Sequence, residues 1–384
     1  MTVRVQIKPE LLKWAYNRTI KQDKLHNKFP KLDEWLNGNI KPTLKQLEEY
    51  ANATSTPLGY LFLEKPPVEQ LPIPHYRTID KGMRKQPSPD LIETLHLMQR
   101  RQDFMKDYFE RYIGDSLDFV GSYQGNKASQ LANKISELFG IKSEWASKQR
   151  TFQEALNYLI SKCEENRIMV MVMVNGIVGS NTHRPLNIEE FRGFVLVDDM
   201  APLIFINGVD AKSAQIFTLI HEIAHIFIGS SAVVEASPLN EVDEQVEKLC
   251  NAAAAEFLCP HDTFKKAWYA HYGDRNVYKT LADIFKVSQL VIGRRALDLG
   301  IISKKEFFDF YHRYLEENQT KRNSTSSGGN FHNTTRIRLG ELFSKAIIYQ
   351  TKSGNMQFTD AYKLTGLKRS TFQNYASYIE GRGV

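Results

Sequence analysis

The strongest chemical signal in the sequence is the run His221-Glu222-Ile223-Ala224-His225. On an α-helix, residues i and i+4 project from one face about one turn apart, so both imidazole rings can bind one metal ion. Glu222 lies beside this pair, where its carboxylate can take a proton from a water that the metal activates. The spacing predicts a hydrolytic metal centre, with Zn²⁺ as the ion and Mn²⁺ as the alternative.

The residues around this motif predict that it is buried. Its neighbours are apolar nearly all the way round the helix: Ile216, Phe217, Leu219, Ile220, Ile223, Ala224, Ile226 and Phe227. Burying two imidazoles and a carboxylate without partners costs several kcal/mol, and a bound metal removes that cost. The alternative is a hydrogen-bonded network of buried histidine and glutamate. We expect Asp210 to be the N-cap of this helix and Gly229 its C-cap.

A catalytic zinc site needs a third protein ligand, and the next helical pattern offers four acidic residues: Glu241, Asp243, Glu244 and Glu247. The face of Glu247 continues through small or apolar residues that allow close helix packing: Cys250, Asn251, Ala254 and Leu258. The faces of Glu241 and Glu244 are polar, and Asp243 has a shorter side chain nearer the helix start. We therefore expect Glu247 to be the third ligand, and Glu222 to be the catalytic base.

Composition and apolar periodicity divide the chain into six segments. They are a bundle of short helices (1–65), a proline-rich linker and helical connector (66–125), a core that carries the motif (126–260), a further helical domain (261–318), a polar flexible linker (319–335) and a basic helical unit (336–384). Three strand-like segments lie in the core, at 167–174, 193–198 and 203–207. These elements predict a small sheet among many helices.

Charge and composition limit the class of protein. The apolar runs are far shorter than the roughly 20 residues that span a membrane, and the N-terminus has no secretory signal pattern. The cysteines match neither a disulfide framework nor a thiolate zinc site: Cys163, Cys250 and Cys259. We expect a cytoplasmic protein. Residues 321–384 hold ten basic residues against three acidic ones, which indicates nucleic-acid contact or, equally well, a solvated helical surface.

Three segments, taken in order, resemble the ImmA/IrrE family of zinc metallopeptidases: 190–207, 217–225 and 247–260. The resemblance extends to an N-terminal unit similar to an Xre-type helix-turn-helix, where 42–47 and 57–63 precede 72–78, and to a helix-turn-helix-like region around 285–302. It covers most of the chain up to about residue 315. It implies that His221, His225 and Glu247 hold the metal and that Glu222 is the general base.

The fold class expected from these observations is α+β and mostly helical. It comprises an N-terminal helix-turn-helix bundle, a zincin-like (gluzincin-type) core with a small sheet, and helical C-terminal domains. The first domain departs from the pattern of a DNA reader. Its predicted recognition helix, 30–37, carries Asp33 and Glu34 against one Lys31, whereas phosphate binding needs basic residues.

The function implied by the resemblance is site-specific cleavage of a partner protein. The family cuts helix-turn-helix repressors or antitoxins, which relieves transcriptional repression. The alternative is a DNA-binding regulator or antitoxin with a vestigial or structural metal site, for which segment 287–295 and the basic C-terminus argue. A scaffold that binds no metal is a further alternative, and the oligomeric state stays open.

Three smaller predictions concern the surroundings of the site. The strand at 203–207 is a candidate for holding a substrate by β-addition. His183 and Tyr76 are candidates for stabilising the oxyanion, although a structural role suits each of them better. Residues 364–375 predict another helix-turn-helix, with Lys368 and Arg369 at the start of its second helix, or else a protein-contact module.

Overall fold

The computed structural model describes residues 4–19, 22–67, 87–173, 186–229, 241–274, 276–319 and 331–381, without the side chains of 241–244 and 317–319. The described residues form two units: 4–19, 22–67, 87–97 and 186 belong to the first, and the rest to the second. The fold is α+β and mostly helical, as expected. In this part of the chain, no helix is both long and apolar enough to cross a membrane.

Short helices build most of the first unit: α1 (Pro9–Asn17), α2 (Gln22–Lys28), α3 (Leu32–Leu36), α4 (Leu44–Ala53) and a 3-10 helix (Leu58–Phe62). A capping box begins α4, since the Gln46 N–H donates to Thr43 Oγ1 and the Thr43 N–H donates to Gln46 Oε1. Tyr50 is fully buried, and its hydroxyl donates to the Leu12 carbonyl at 2.7 Å. This unit therefore has its own core.

The second unit contains most of the remaining elements. The division between the units falls within α5 (Pro89–Tyr112). After it come α6 (Ala128–Phe139), α7 (Phe152–Glu165), the strands β1 (Met169–Met173), β2 (Gly193–Leu196) and β3 (Leu203–Asn207), and the helices α8 (Lys212–Ile228), α9 (Glu241–Leu258), α10 (His261–Ala270), α11 (Val277–Phe285), α12 (Gln289–Asp298) and α13 (Lys304–Gln319).

The sheet has the strand order β1-β3-β2, with β3 parallel to β1 and antiparallel to β2. Every residue of the three strands is buried, as expected for strands that helices cover. Strand β2 ends earlier than predicted because Asp198 Oδ1 accepts the N–H groups of Met200 and Ala201, which forms the turn into β3. The prediction that 203–207 adds a substrate strand is wrong, because both edges of this central strand are already paired.

Four helices close the chain: α14 (Phe331–Leu339), α15 (Glu341–Lys352), α16 (Phe358–Thr365) and α17 (Arg369–Glu380). Helix α14 begins inside the segment 319–335 that the sequence predicts to be a linker. It packs against β1. At the end of α7, Glu164 Oε1 accepts the N–H groups of Glu341 (2.6 Å) and Leu342 (3.3 Å), so it caps α15.

A buried arginine of α5 also contacts these C-terminal helices. Arg101 is 1% exposed. Its guanidinium donates to the carbonyl oxygens of Leu364 and Arg338, and it stacks on the ring of Phe343. Burial, together with the charge of Arg338, lowers the pKa of Arg101 to about 9. The C-terminal helices thus pack on the same body as the sheet.

Candidate metal centre

Helix α8, which carries the HExxH motif, lies in the core of the second unit. His221, Glu222 and His225 are 1%, 4% and 2% exposed, as the apolar flanks predict. The expected N-cap is wrong: the cap position is Ala211, which has no capping side chain. Asp210 instead pairs with Arg192 at 2.8 Å and accepts the Ala211 N–H.

The C-terminal end of α8 is set by a glycine, as predicted. Gly229 has φ +60°, the left-handed conformation that ends many helices. A Cβ at this position would lie 2.5 Å from Gly121 Cα. The loop around Gly121 also donates its N–H groups to the last carbonyls of the helix, Gly121 to Ile226 and Tyr123 to Phe227. Two backbones therefore meet directly where the motif helix ends.

Buried amides fix the turn between β3 and α8. Gln215 is fully buried, and its Nε2 donates to the carbonyls of Gly208 (3.1 Å) and Asp210 (2.6 Å). Asn207, also fully buried, donates to the Phe191 carbonyl and accepts the Val209 N–H. These bonds satisfy the backbone of the turn and hold α8 against the sheet.

Helix α9 brings the third acidic donor to the two histidines. Its small residues Ala253 and Ala254 are fully buried, and α9 packs closely on α6 and α8. The Nε2 atoms of His221 and His225 lie 3.1 Å apart. Glu247 Oε2 lies 3.3 Å from His221 Nε2, and Glu247 Oε1 lies 3.1 Å from His225 Nε2. Sequence reasoning selected these three residues, and the structure brings them together.

These separations fit a tetrahedral metal ion. Ligand atoms about 2.0–2.1 Å from a tetrahedral Zn²⁺ are about 3.3 Å from one another, which is close to the observed 3.1, 3.1 and 3.3 Å. Among the described residues, His221, His225 and Glu247 are the group of three or more donors that could hold a metal. The Glu247 side chain is 31% exposed, so the centre is open on this side.

Hydrogen bonds link the Glu247 carboxylate to the rings of His221 and His225, and these bonds shift the pKa values of Glu247 and His225. Burial alone would raise the pKa of Glu247, but the hydrogen bonds and charge of both histidines lower it well below its usual range. Burial opposes protonation of His225, yet hydrogen bonds with Cys250 and Glu247 and the charge of Glu222 raise its pKa well above the ordinary value. Because a ligand must lose its proton to bind a metal, protons would compete with an ion for these three groups.

Glu222 of the motif lies next to Gly193 of strand β2. A Cβ at Gly193 would lie 2.5 Å from Thr218 Cγ2, 2.8 Å from the Phe205 carbonyl and 3.7 Å from Glu222 Oε1. Only a residue without a side chain lets β2 pass so near the Glu222 carboxylate. Sequence reasoning did not single out Gly193, although a glycine inside a strand pattern is a known signal of close approach.

Cys250 is a second neighbour of the site that sequence reasoning missed. Its thiol is fully buried and hydrogen-bonds to His225. Burial raises the pKa of this thiol. The sequence placed Cys250 only on the packing face of Glu247. Cys163 and Cys259 are also buried free thiols.

The structure does not describe every other candidate from the sequence. Tyr76 and His183 are outside the described residues, as are the side chains of Glu241, Asp243 and Glu244. Segment 287–295, which the sequence made a candidate for DNA contact, has an arginine in α12 that points inward: Arg295 donates to the Cys259 carbonyl and pairs with Glu256. This residue is therefore part of the core and lends no support to a DNA contact.

Two family models match parts of the chain. Residues 179–297 match the IrrE N-terminal-like domain, Peptidase_M78. Residues 339–378 match a domain of unknown function, DUF8813. The comparison with curated proteins found no match. The first match supports the resemblance to the ImmA/IrrE family over that part of the chain and indicates a metallopeptidase domain. The Xre-like N-terminal domain stays a prediction.

Proposed function

We propose that the second unit is a zinc-dependent endopeptidase. The observation that carries this proposal is the set of three donor atoms spaced 3.1–3.3 Å apart beside a buried glutamate. Two histidines and one glutamate are the donor set of many catalytic zinc sites, which keep a fourth position open. His221, His225 and Glu247 would hold Zn²⁺, or alternatively Mn²⁺.

The chain's own residues would move the proton during hydrolysis. When bound, a divalent ion polarises a carbonyl oxygen and makes water more acidic. Glu222 would accept a proton from the attacking water as the oxygen bonds to the scissile carbonyl carbon. It would then pass this proton to the departing amine nitrogen as the C–N bond breaks. At 4% exposure, the carboxylate has little bulk water that could compete for the proton.

Strand β2 would align the substrate. It lies at the edge of the sheet, and no described residue pairs with its outer side. An extended peptide would add to this edge through main-chain hydrogen bonds. Because Gly193 brings β2 next to Glu222, a peptide on β2 would carry its scissile bond to the catalytic carboxylate. This role replaces the one that the sequence suggested for β3.

The substrate that we propose is a partner protein of the helix-turn-helix class, either a repressor or an antitoxin. Its cleavage would relieve transcriptional repression. The resemblance to the ImmA/IrrE family supports this proposal. The N-terminal helical unit would dock the partner, because helix-turn-helix domains commonly pair with one another. A variant without residues 1–65 should keep its zinc binding and lose cleavage of the partner; unchanged cleavage would remove the docking role.

Co-expression with helix-turn-helix proteins encoded nearby tests the activity. Wild type should generate new fragments of one partner, with new termini that mass spectrometry locates. Glu222→Gln should bind zinc as wild type does and generate no fragments, because the amide cannot accept the proton. Identical fragments from both proteins would refute the role of Glu222. A zinc-loaded wild type that cleaves no such partner would favour the alternative of a regulator with a structural metal site.

A further inference from the structure

The C-terminal helices α16 and α17 form two consecutive helices joined by a tight turn. Helix α16 ends at Gly366, which has φ +69°, and α17 begins directly after Lys368. A shared apolar core holds the pair together: Ala361, Leu367, Phe372, Tyr375 and Ile379 are nearly fully buried. Two helices joined by a short turn containing glycine are the arrangement with which many proteins place the second helix in the major groove of DNA.

One face of α17 points to solvent. The buried positions of this helix are Phe372, Tyr375, Ala376 and Ile379. The exposed positions follow the opposite face: Arg369, Ser370, Gln373, Asn374, Ser377 and, in the last turn, Glu380. Arginine, glutamine, asparagine and serine are the side chains that hydrogen-bond to base edges in the major groove. An exposed face needs only to be polar, whereas this face carries the residue types of a base-reading surface.

In the C-terminal unit, α14–α17, the exposed basic residues that form no ion pair with described residues lie at the start of α17. The acidic residues are already paired: Glu341 with Arg336 and Lys345, Asp360 with Lys363, and Glu380 with Lys352. Lys368 and Arg369 are exposed and form no ion pair with described residues. The first turn of α17 is therefore cationic, whereas its last turn is neutralised. Recognition helices contact bases through their N-terminal residues.

In the other two helical units, the helices that the sequence made candidates for DNA contact, α3 and α12, lack such a surface. In α3 the positions that are not buried are acidic, Asp33 and Glu34. In α12, Arg295 is buried against Glu256, and Arg294 pairs with Asp298. A negatively charged or internally neutralised helix would not attract phosphate.

Hydrogen bonds and packing contacts join α17 and its neighbouring helices to the rest of the second unit. Arg101 donates to the Leu364 carbonyl at the end of α16, and the Tyr375 hydroxyl of α17 contacts Ser344 Oγ at 2.8 Å. Glu164 caps α15, and α14 packs on β1. DNA bound by α17 would thus be held by the same body that carries the metal centre.

We propose that α17 is a DNA-recognition helix whose first turns enter the major groove of double-stranded DNA. Lys368 and Arg369 contact phosphates and base edges there, and Gln373 and Asn374 read bases. This surface lies outside the metal site, and its DNA binding does not depend on peptidase activity. The ligand that we propose for the C-terminal unit is therefore double-stranded DNA.

The full-length protein and a fluorescent DNA duplex of random sequence test this proposal. Wild type should bind the duplex with an affinity that falls as salt rises. The double variant Lys368→Ala/Arg369→Ala should bind at least about tenfold more weakly, and the slope of log affinity against log salt should become shallower by about one to two. The control Lys304→Ala/Lys305→Ala removes the same charge from exposed positions of α13 and should bind as wild type does.

Base reading is tested by selection from a pool of random duplexes. Wild type should enrich a preferred sequence, whereas Gln373→Ala/Asn374→Ala should lose the preference and keep its affinity for the random duplex. All substituted side chains are exposed, so unchanged circular dichroism and melting temperature should show that the variants are folded.

Four results would overturn the proposal. They are no salt-dependent binding of the duplex by wild type, an equal loss in the α13 control, equal affinity for single-stranded DNA of the same sequence, and no enriched sequence for wild type. The first result is also the one expected if this face contacts a protein instead.

Discussion

Replacing Glu247, the proposed third metal ligand, should remove most of the stabilisation that we expect from zinc. A ligand at about 1,000 times its dissociation constant stabilises the folded state by about 4 kcal/mol. Glu247→Gln replaces one of three donors that lie 3.1–3.3 Å apart with a neutral amide oxygen, which is a much weaker ligand than a carboxylate. Even changes to outer-shell partners weaken metal binding by about 10–100-fold, so we expect a weakening of about 100-fold or more. At the same zinc concentration the stabilisation then falls to about 1.4 kcal/mol.

Thermal unfolding with zinc and with a chelator measures this change. A loss of about 2.7 kcal/mol corresponds to roughly 5–10 °C of the zinc-induced shift in a unit of this size. The measured quantity is the difference in melting temperature between the protein with zinc and the protein with a chelator. Glu247 also hydrogen-bonds to both histidines without a metal, so the substitution lowers the stability of the metal-free protein as well.

A matched control lies one turn earlier on α9. Glu244→Gln removes the same charge at the position that competed with Glu247 in the sequence, and it should keep the full zinc-induced shift. Glu222→Gln should keep it too, since this carboxylate is not one of the three donors. Should Glu247→Gln retain the wild-type shift, or Glu244→Gln lose it, the ligand assignment is wrong.

Three other substitutions give measurable results. Gly193→Ala places a methyl group 2.5 Å from the Thr218 methyl and should lower the free energy of unfolding by about 1–3 kcal/mol; a melt like that of wild type would contradict the close approach. Gly229→Ala should cost more than Gly140→Ala, because both glycines have φ +60° but only Gly229 meets another backbone; equal losses in urea unfolding would count against this contact. Burial raises the pKa of Glu164 from 4.5 to about 7. Between these two pH values the folded protein therefore holds a proton that the unfolded chain releases. The free energy of unfolding should thus fall by about 3 kcal/mol as the pH rises from 4.5 to about 7. Glu164→Gln should flatten this fall in melts recorded from pH 4 to 8, and an unchanged slope would assign the effect to another group.

Much of the candidate metal centre could be predicted from the sequence. The spacing of His221 and His225 and the apolar residues around them predict a buried helix with both rings on one face. The pattern after Glu247 selects one acidic residue from four, and the structure places that residue against both rings. Each of these inferences concerns one element, because helical periodicity determines which residues share a face.

The tertiary structure decided which elements are neighbours. No local pattern shows that β3 is central and β2 lies at the edge, that Gly193 faces Glu222, or that Cys250 reaches His225. The same holds for the basic residues: Arg295 is turned into the core, whereas Arg369 is exposed. The physical reason is that these relations depend on packing between residues far apart in the chain, and a periodic pattern within one element contains no information about its partner.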